Sequence, residues 1–212
     1  IWDDSVLYET LASSLNIYKS PVFRRLENVI LGSDQFKNIF GFTTEENLDS
    51  ILEKYDFPII TKKNTKYLMD LNRKEYQISI FTARPNLLPI SIDQKLIERH
   101  MFFPEAEIAV RSIGIKNGEF SVVGAGSLSY LEQMYQLAYK SLLKPQPFHS
   151  LAAIMTTMVD NPMIALEKTK TLVDHWNKKE FSKNPIKKIL PENSTICIAI
   201  FEDSVSGILS CN

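Results

Sequence analysis

The predicted fold depends on one stretch, residues 194–210, which reads S-T-I-C-I-A-I-F-E-D-S-V-S-G-I-L-S. Its apolar, β-branched run at 196–201 is typical of a strand that is buried on both faces of a parallel sheet. The run ends in two adjacent carboxylates, Glu202 and Asp203, after which a helix is predicted to begin near Ser204. Ligands bind at the carboxyl ends of such strands, so the acid pair predicts a site for Mg²⁺, which prefers oxygen ligands. The alternative is a solvated acidic turn in which Asp203 or Ser204 caps the helix.

The composition indicates one large domain, or a core with a small accessory domain. A chain of 212 residues with 44% hydrophobic side chains is able to bury a substantial core. The formal net charge of -1 argues against a nucleic-acid partner, and no apolar run is long enough to span a membrane. The two cysteines, Cys197 and Cys211, lack metal-ligand spacing. We therefore expect buried, reduced thiols in a cytoplasmic protein.

A second strand is predicted over 76–81, and Thr82, Ala83 and Arg84 follow it directly. A hydroxyl, backbone N–H groups and a cation at the end of a strand are groups that bind a phosphoryl oxygen. The alternative is a simple strand end, with Thr82 as a cap and Arg84 as a surface charge.

Lys144 precedes a proline-containing turn, Pro145-Gln146-Pro147, which leads into a helix predicted over 148–158. The two prolines restrict the backbone, so the ammonium group of Lys144 is held in one orientation. A rigidly held cation suits phosphate chemistry, although an exposed loop lysine is the ordinary alternative.

Helical periodicity predicts an all-helical N-terminal part and several later helices. The predicted helices lie at 1–15, 21–30, 44–55, 61–72, 104–113 and 161–179, with another that begins at a capping box, Ser129 to Glu132. A further short strand is predicted over 120–123.

In their order, three of these segments resemble motifs of the haloacid dehalogenase-like (HAD) superfamily, most closely its phosphatases and phosphomutases. The strand that ends at Thr82 is similar to the second motif of that family. The K-P-Q-P sequence from Lys144 is similar to the third, and E-D-S-V-S-G-I, residues 202–208, is similar to the fourth.

The resemblance implies an α/β fold, with a Rossmann-like parallel sheet flanked by helices and a small helical cap at the N-terminal part. Residues 1–75 would form the cap-like region and residues 76–212 the core. A helical insertion is expected at 161–190.

The same resemblance implies a Mg²⁺-dependent phosphohydrolase that acts on a small phosphorylated metabolite through an aspartyl-phosphate. Glu202 and Asp203 would bind the metal, and Lys144 would neutralise the phosphoryl group and orient the nucleophile. Thr82, with the N–H group of Ala83, would bind a phosphoryl oxygen, and Arg84 would contact the substrate.

The sequence departs from the family pattern in one respect that bears on activity. The first motif, a strand that ends in D-x-D and carries the nucleophilic aspartate, is not found. We expect it just upstream of Ile1 in a longer protein, with both ends of this chain cut, and we expect the 212 residues alone to be inactive. The alternative is a non-catalytic HAD-fold binding or scaffold protein.

Overall fold

The computed structural model describes residues 16–74, 76–88, 102–138, 140–178, 197–201 and 209. These residues contain eight helices and two short strands. Their order is α1 (Pro21–Leu31), α2 (Ser33–Phe40), α3 (Ile51–Tyr55), α4 (Lys62–Arg73), β1 (Ser79–Phe81), α5 (Glu105–Ser112), β2 (Ser121–Val123), α6 (Ala125–Met134), α7 (Pro147–Met158) and α8 (Pro162–Asn177).

The sheet consists of β1 and β2, which pair in parallel with Phe81 opposite Val123. Helix α5 lies between them in the chain, as the long connection between parallel strands requires. The prediction of a Rossmann-like parallel sheet flanked by helices is wrong, because the described residues are mostly helical and this sheet has only two strands.

The run that predicted a central strand explains most of this difference. Residues 197–201 are not in a strand, and all five are exposed, with Phe201 91% exposed. The prediction of a buried thiol at Cys197 is also wrong. An apolar, β-branched run becomes a buried strand only where a neighbouring strand supplies backbone partners, and the described sheet pairs β1 and β2 with each other. The acid pair Glu202 and Asp203 lies outside the described residues.

The N-terminal helices share an aromatic core with the segment that leads into α5. Phe23, Phe36 and Phe40 pack with Phe103, whose ring lies 5.4 Å from those of Phe23 and Phe40. Ile108 of α5 belongs to the same cluster. The region predicted as a cap therefore packs directly on residues predicted to belong to the core.

A second core lies between the sheet and the last three helices. It contains Val123, Leu128 and Leu131 from β2 and α6, Phe148 from α7, and Leu166 from α8. Helix α8, predicted as part of an insertion, is thus buried against α7 and contributes to this core. No helix in the described parts of the chain is long and apolar enough to cross a bilayer.

Most helices begin where local chemistry predicts. The hydroxyls of Ser20 and Thr61 accept hydrogen bonds from the N–H groups of Phe23 and Asn64, which satisfies donors at the starts of α1 and α4. The predicted capping box at Ser129 is wrong, because α6 already begins at Ala125.

Candidate functional site

Thr82 lies at the carboxyl end of β1 and is held by two hydrogen bonds. Its N–H group donates to the carbonyl of Val123 over 3.0 Å, which extends the pairing of β1 with β2 by one residue. Its Oγ1 atom accepts a hydrogen bond of 3.2 Å from the N–H group of Arg84. A hydroxyl that accepts one hydrogen bond keeps its own proton for donation, so Thr82 is able to donate to an anion at this edge of the sheet.

The loop after β1 is fixed to the start of α6. The carbonyl of Arg84 accepts from the N–H group of Ala125 over 2.8 Å. The buried Asn86 side chain exchanges two hydrogen bonds with Ser127, one to its hydroxyl (2.8 Å) and one from its N–H group (2.9 Å). Gly124 permits this close approach, since a Cβ atom there would lie 2.6 Å from the Arg84 carbonyl oxygen. The backbone around Thr82 is therefore rigidly held.

Lys144 lies against the last residue of β1. Its Nζ atom lies 4.2 Å from the ring centroid of Phe81, the last residue of β1 and the neighbour of Thr82. A cation over an aromatic face is attracted by the ring quadrupole, which helps to hold the half-buried ammonium group beside the strand end. Lys144 thus lies against the residue that precedes Thr82. Successive side chains of a strand point to opposite faces of the sheet, so this contact brings Lys144 to the end of β1 but not to the Thr82 hydroxyl.

Ala83 is exposed and follows Thr82 directly. The Arg84 guanidinium points back to the helical region, where it forms an ion pair of 2.8 Å with Asp56. Both side chains are about one-third exposed, so the pair is partly screened by solvent. Arg84 joins the strand end to the segment after α3, and a contact with substrate stays a prediction.

Three carboxyl groups on α1 and α5 are partly or fully buried. Burial, reinforced by the charge of Glu105, raises the pKa of Glu27 to about 8. Burial and Asp56 also raise the pKa of Glu105, while Arg84 opposes that shift. Burial raises the pKa of Glu107 to about 6. Hydrogen bonds from backbone N–H groups oppose this rise, among them the bond of 2.9 Å from the N–H group of Leu87 to Glu107 Oε1. The acids of α1 and α5 therefore favour their protonated forms more than exposed carboxyls do.

The carboxylates predicted to bind Mg²⁺, Glu202 and Asp203, lie outside the described residues. Within the described ranges, no group of three His, Cys, Asp or Glu side chains is arranged to hold a metal ion. The end of β1 therefore has the Thr82 hydroxyl and, against Phe81, the Lys144 ammonium group, and the described ranges supply no metal-ligand set.

Sequence reasoning missed two residues at this site, Asn86 and His149. His149 lies on α7, fully buried, and its Nε2 atom is 3.0 Å from the carbonyl of Val123. Neither residue belongs to a recognisable motif. Only the position of His149 two residues after the K-P-Q-P sequence connects it with Lys144.

Comparison with known proteins adds no assignment. No family model, curated protein or solved structure matches the chain.

Proposed function

We propose that the chain carries the phosphate-binding part of a magnesium-dependent phosphohydrolase that acts on a small phosphorylated metabolite. The proposal combines the resemblance of three sequence motifs to the HAD superfamily with the geometry around the end of β1. The observation that supports it is the position of Lys144, with Nζ 4.2 Å from the ring of Phe81, the residue before Thr82.

The two side chains have complementary roles toward a phosphoryl group. The Lys144 ammonium supplies a full positive charge, which offsets the charge of the phosphoryl oxygens in a half-buried position. The Thr82 hydroxyl donates one directed hydrogen bond, because its oxygen already accepts from the Arg84 N–H group. The backbone N–H group of Ala83 is proposed as a second donor.

The proposed metal ligands are Glu202 and Asp203, and the described residues neither supply nor replace them. Mg²⁺, when bound, would reduce the repulsion between a phosphorylated substrate and an approaching anionic nucleophile. The roles of Thr82 and Lys144 in binding phosphate do not require the ion, so they are testable separately.

The test measures binding of inorganic phosphate to the 212-residue chain by ³¹P NMR titration. Binding is measured rather than turnover because the motif for the nucleophile is not found in this sequence. Replacing Lys144→Met removes the cation while keeping most of the side-chain volume. We expect the dissociation constant to rise about tenfold, as for loss of one charge-assisted contact.

The matched control is Lys170→Met. Lys170 also lies over an aromatic ring, with Nζ 5.1 Å from the centroid of Tyr135, but it belongs to α8 and pairs with Asp174. Phosphate affinity should be unchanged in this variant. Equal affinity of Lys144→Met and the unmodified chain, or no phosphate binding by the unmodified chain, would contradict the proposal.

A further inference from the structure

His149 shares its backbone acceptor with Thr82. The Val123 carbonyl lies 3.0 Å from His149 Nε2 and also accepts the N–H group of Thr82 over 3.0 Å. A carbonyl oxygen only accepts, so Nε2 carries the proton and donates. One oxygen atom thus joins the imidazole to the residue that follows β1.

His149 also contacts the ring that lies beneath Lys144. The His149 and Phe81 rings meet edge to face, with centroids 5.5 Å apart and an angle of 77° between their planes. Lys144 Nζ lies over the same Phe81 ring. The imidazole is therefore one contact away from the backbone N–H group of Thr82 and from the Lys144 side chain.

Core packing alone does not account for a histidine at this position. The side chain is fully buried, where an aliphatic or phenyl group would fill the space without the cost of burying a polar ring. The Val123 carbonyl already has a donor in Thr82, so it does not need a second one to be satisfied. The added hydrogen bond restricts the geometry of the strand end.

We propose that His149 is a positioning residue of the phosphate site, which holds Thr82 through the Val123 carbonyl and Lys144 through the Phe81 ring. This inference rests on the proposed function, since it assigns His149 a role only in placing the two phosphate-binding side chains. His149 itself does not touch the phosphate.

Two substitutions separate the two contacts. His149→Phe keeps a ring against Phe81 but removes the donor to Val123. His149→Gln keeps a donor near the Nε2 position but removes the aromatic edge. In the 212-residue chain, we expect each to raise the dissociation constant of inorganic phosphate about threefold to tenfold, the range for one lost hydrogen bond or ring contact.

Double-mutant cycles distinguish positioning from a general structural role. If the ring contact acts through Lys144, His149→Gln should weaken phosphate binding in the unmodified chain and change it little in the Lys144→Met background. His149→Phe should likewise lose its effect in a Thr82→Val background. A merely structural residue would give the same fold-loss in each background, and that result would overturn the inference.

Thr156→Val is the control for packing. Thr156 also joins α7 to β1, but its hydroxyl lies 2.9 Å from that of Ser79, at the other end of the strand. The variant should lose stability without losing phosphate affinity. If Lys144→Met weakens binding while both His149 variants bind phosphate normally, only the positioning inference fails. If the unmodified chain binds no phosphate, both proposals fail.

A second measurement needs no substitution and applies even if the His149 variants do not fold. Adding inorganic phosphate to the unmodified chain should shift the ring resonances of His149, because the ligand polarises contacts one residue away. The ring resonances of His175, on α8, should remain unchanged. Unchanged His149 resonances at saturating phosphate would contradict the inference.

Discussion

At the scale of single residues, Glu27 combines deep burial with an acidic group. It is 3% exposed, and its Oε2 atom has no hydrogen-bond partner among the described residues. Because its pKa is raised from 4.5 to about 8, the native state holds a proton that the unfolded chain releases. The free energy of unfolding should therefore fall as the pH rises from about 4.5 to about 8.

Replacing Glu27→Gln should remove this dependence. Urea denaturation across that pH range should show the unmodified chain losing about 4 kcal/mol more stability than the variant, since a pKa raised from 4.5 to about 8 corresponds to about 5 kcal/mol in all. Glu45→Gln, at an exposed position, is the control and should follow the unmodified chain. Parallel curves for Glu27→Gln and the unmodified chain would show that Glu27 does not titrate in this way.

The sequence predicted site residues where a motif marks them. Lys144 stands out because two prolines follow it, and Thr82 because an apolar run precedes it. The structure places Lys144 against Phe81, the residue before Thr82. Asn86, His149 and Glu27 do not belong to a sequence motif of this kind. Their positions depend on contacts between distant segments, and local sequence does not encode those contacts.

At the scale of elements, the loop after β1 depends on its close approach to α6. Gly124 has φ -117°, which any residue adopts, so only space restricts it. In Gly124→Ala the new methyl group would meet the Arg84 carbonyl and the Asn86 side chain, at 2.6 and 2.7 Å. Thermal and urea denaturation should show a loss of about 2 to 3 kcal/mol, as for overpacking in a core.

The control is Gly118→Ala, in which the backbone conformation is unfavourable for alanine but the space is available. Gly118 has φ +84° but open space around its Cβ position, so this variant tests backbone strain without a clash. It should cost about 1 kcal/mol. If the two variants lose equal stability, the contact between the loop and α6 is looser than the structure indicates. The Gly124 variant should also bind inorganic phosphate more weakly, because the displaced loop carries Thr82.

Individual helices and strands were easier to predict than the sheet. The strands predicted over 76–81 and 120–123 are observed, somewhat shorter, as Ser79–Phe81 and Ser121–Val123. Predictions for α1, α4, α5, α7 and α8 are confirmed within about two residues, because periodic apolar positions and caps act locally. Helix α2 was missed, and α3 is shorter than the helix predicted over 44–55. The run at 196–201 misled the prediction of the fold. Its composition shows that it suits a buried strand, but not whether a partner strand lies beside it.

At the scale of the whole molecule, Phe103 connects the N-terminal helices with the sheet region. It is fully buried, and its ring packs edge to face against Phe23. Replacing Phe103→Ala should lower the free energy of unfolding by about 3 to 5 kcal/mol, the usual cost of a large aromatic cavity. Urea denaturation followed by circular dichroism measures this loss.

Phe57→Ala is the matched control, because Phe57 is 81% exposed. That variant should remain within about 0.5 kcal/mol of the unmodified chain. A loss of similar size in both variants would mean that Phe103 does not join the two parts of the molecule.

The place of Phe103 also limits how the protein can be shortened. A chain shortened to start at Tyr76 keeps both strands and α5. The truncation would, however, expose Phe103 and Ile108, which pack against the N-terminal helices in the intact protein. Newly wetted aromatic and aliphatic surface of this kind promotes self-association. Cutting away the predicted cap is therefore a poor way to open the strand end to ligands, and single substitutions on an intact backbone are the safer approach.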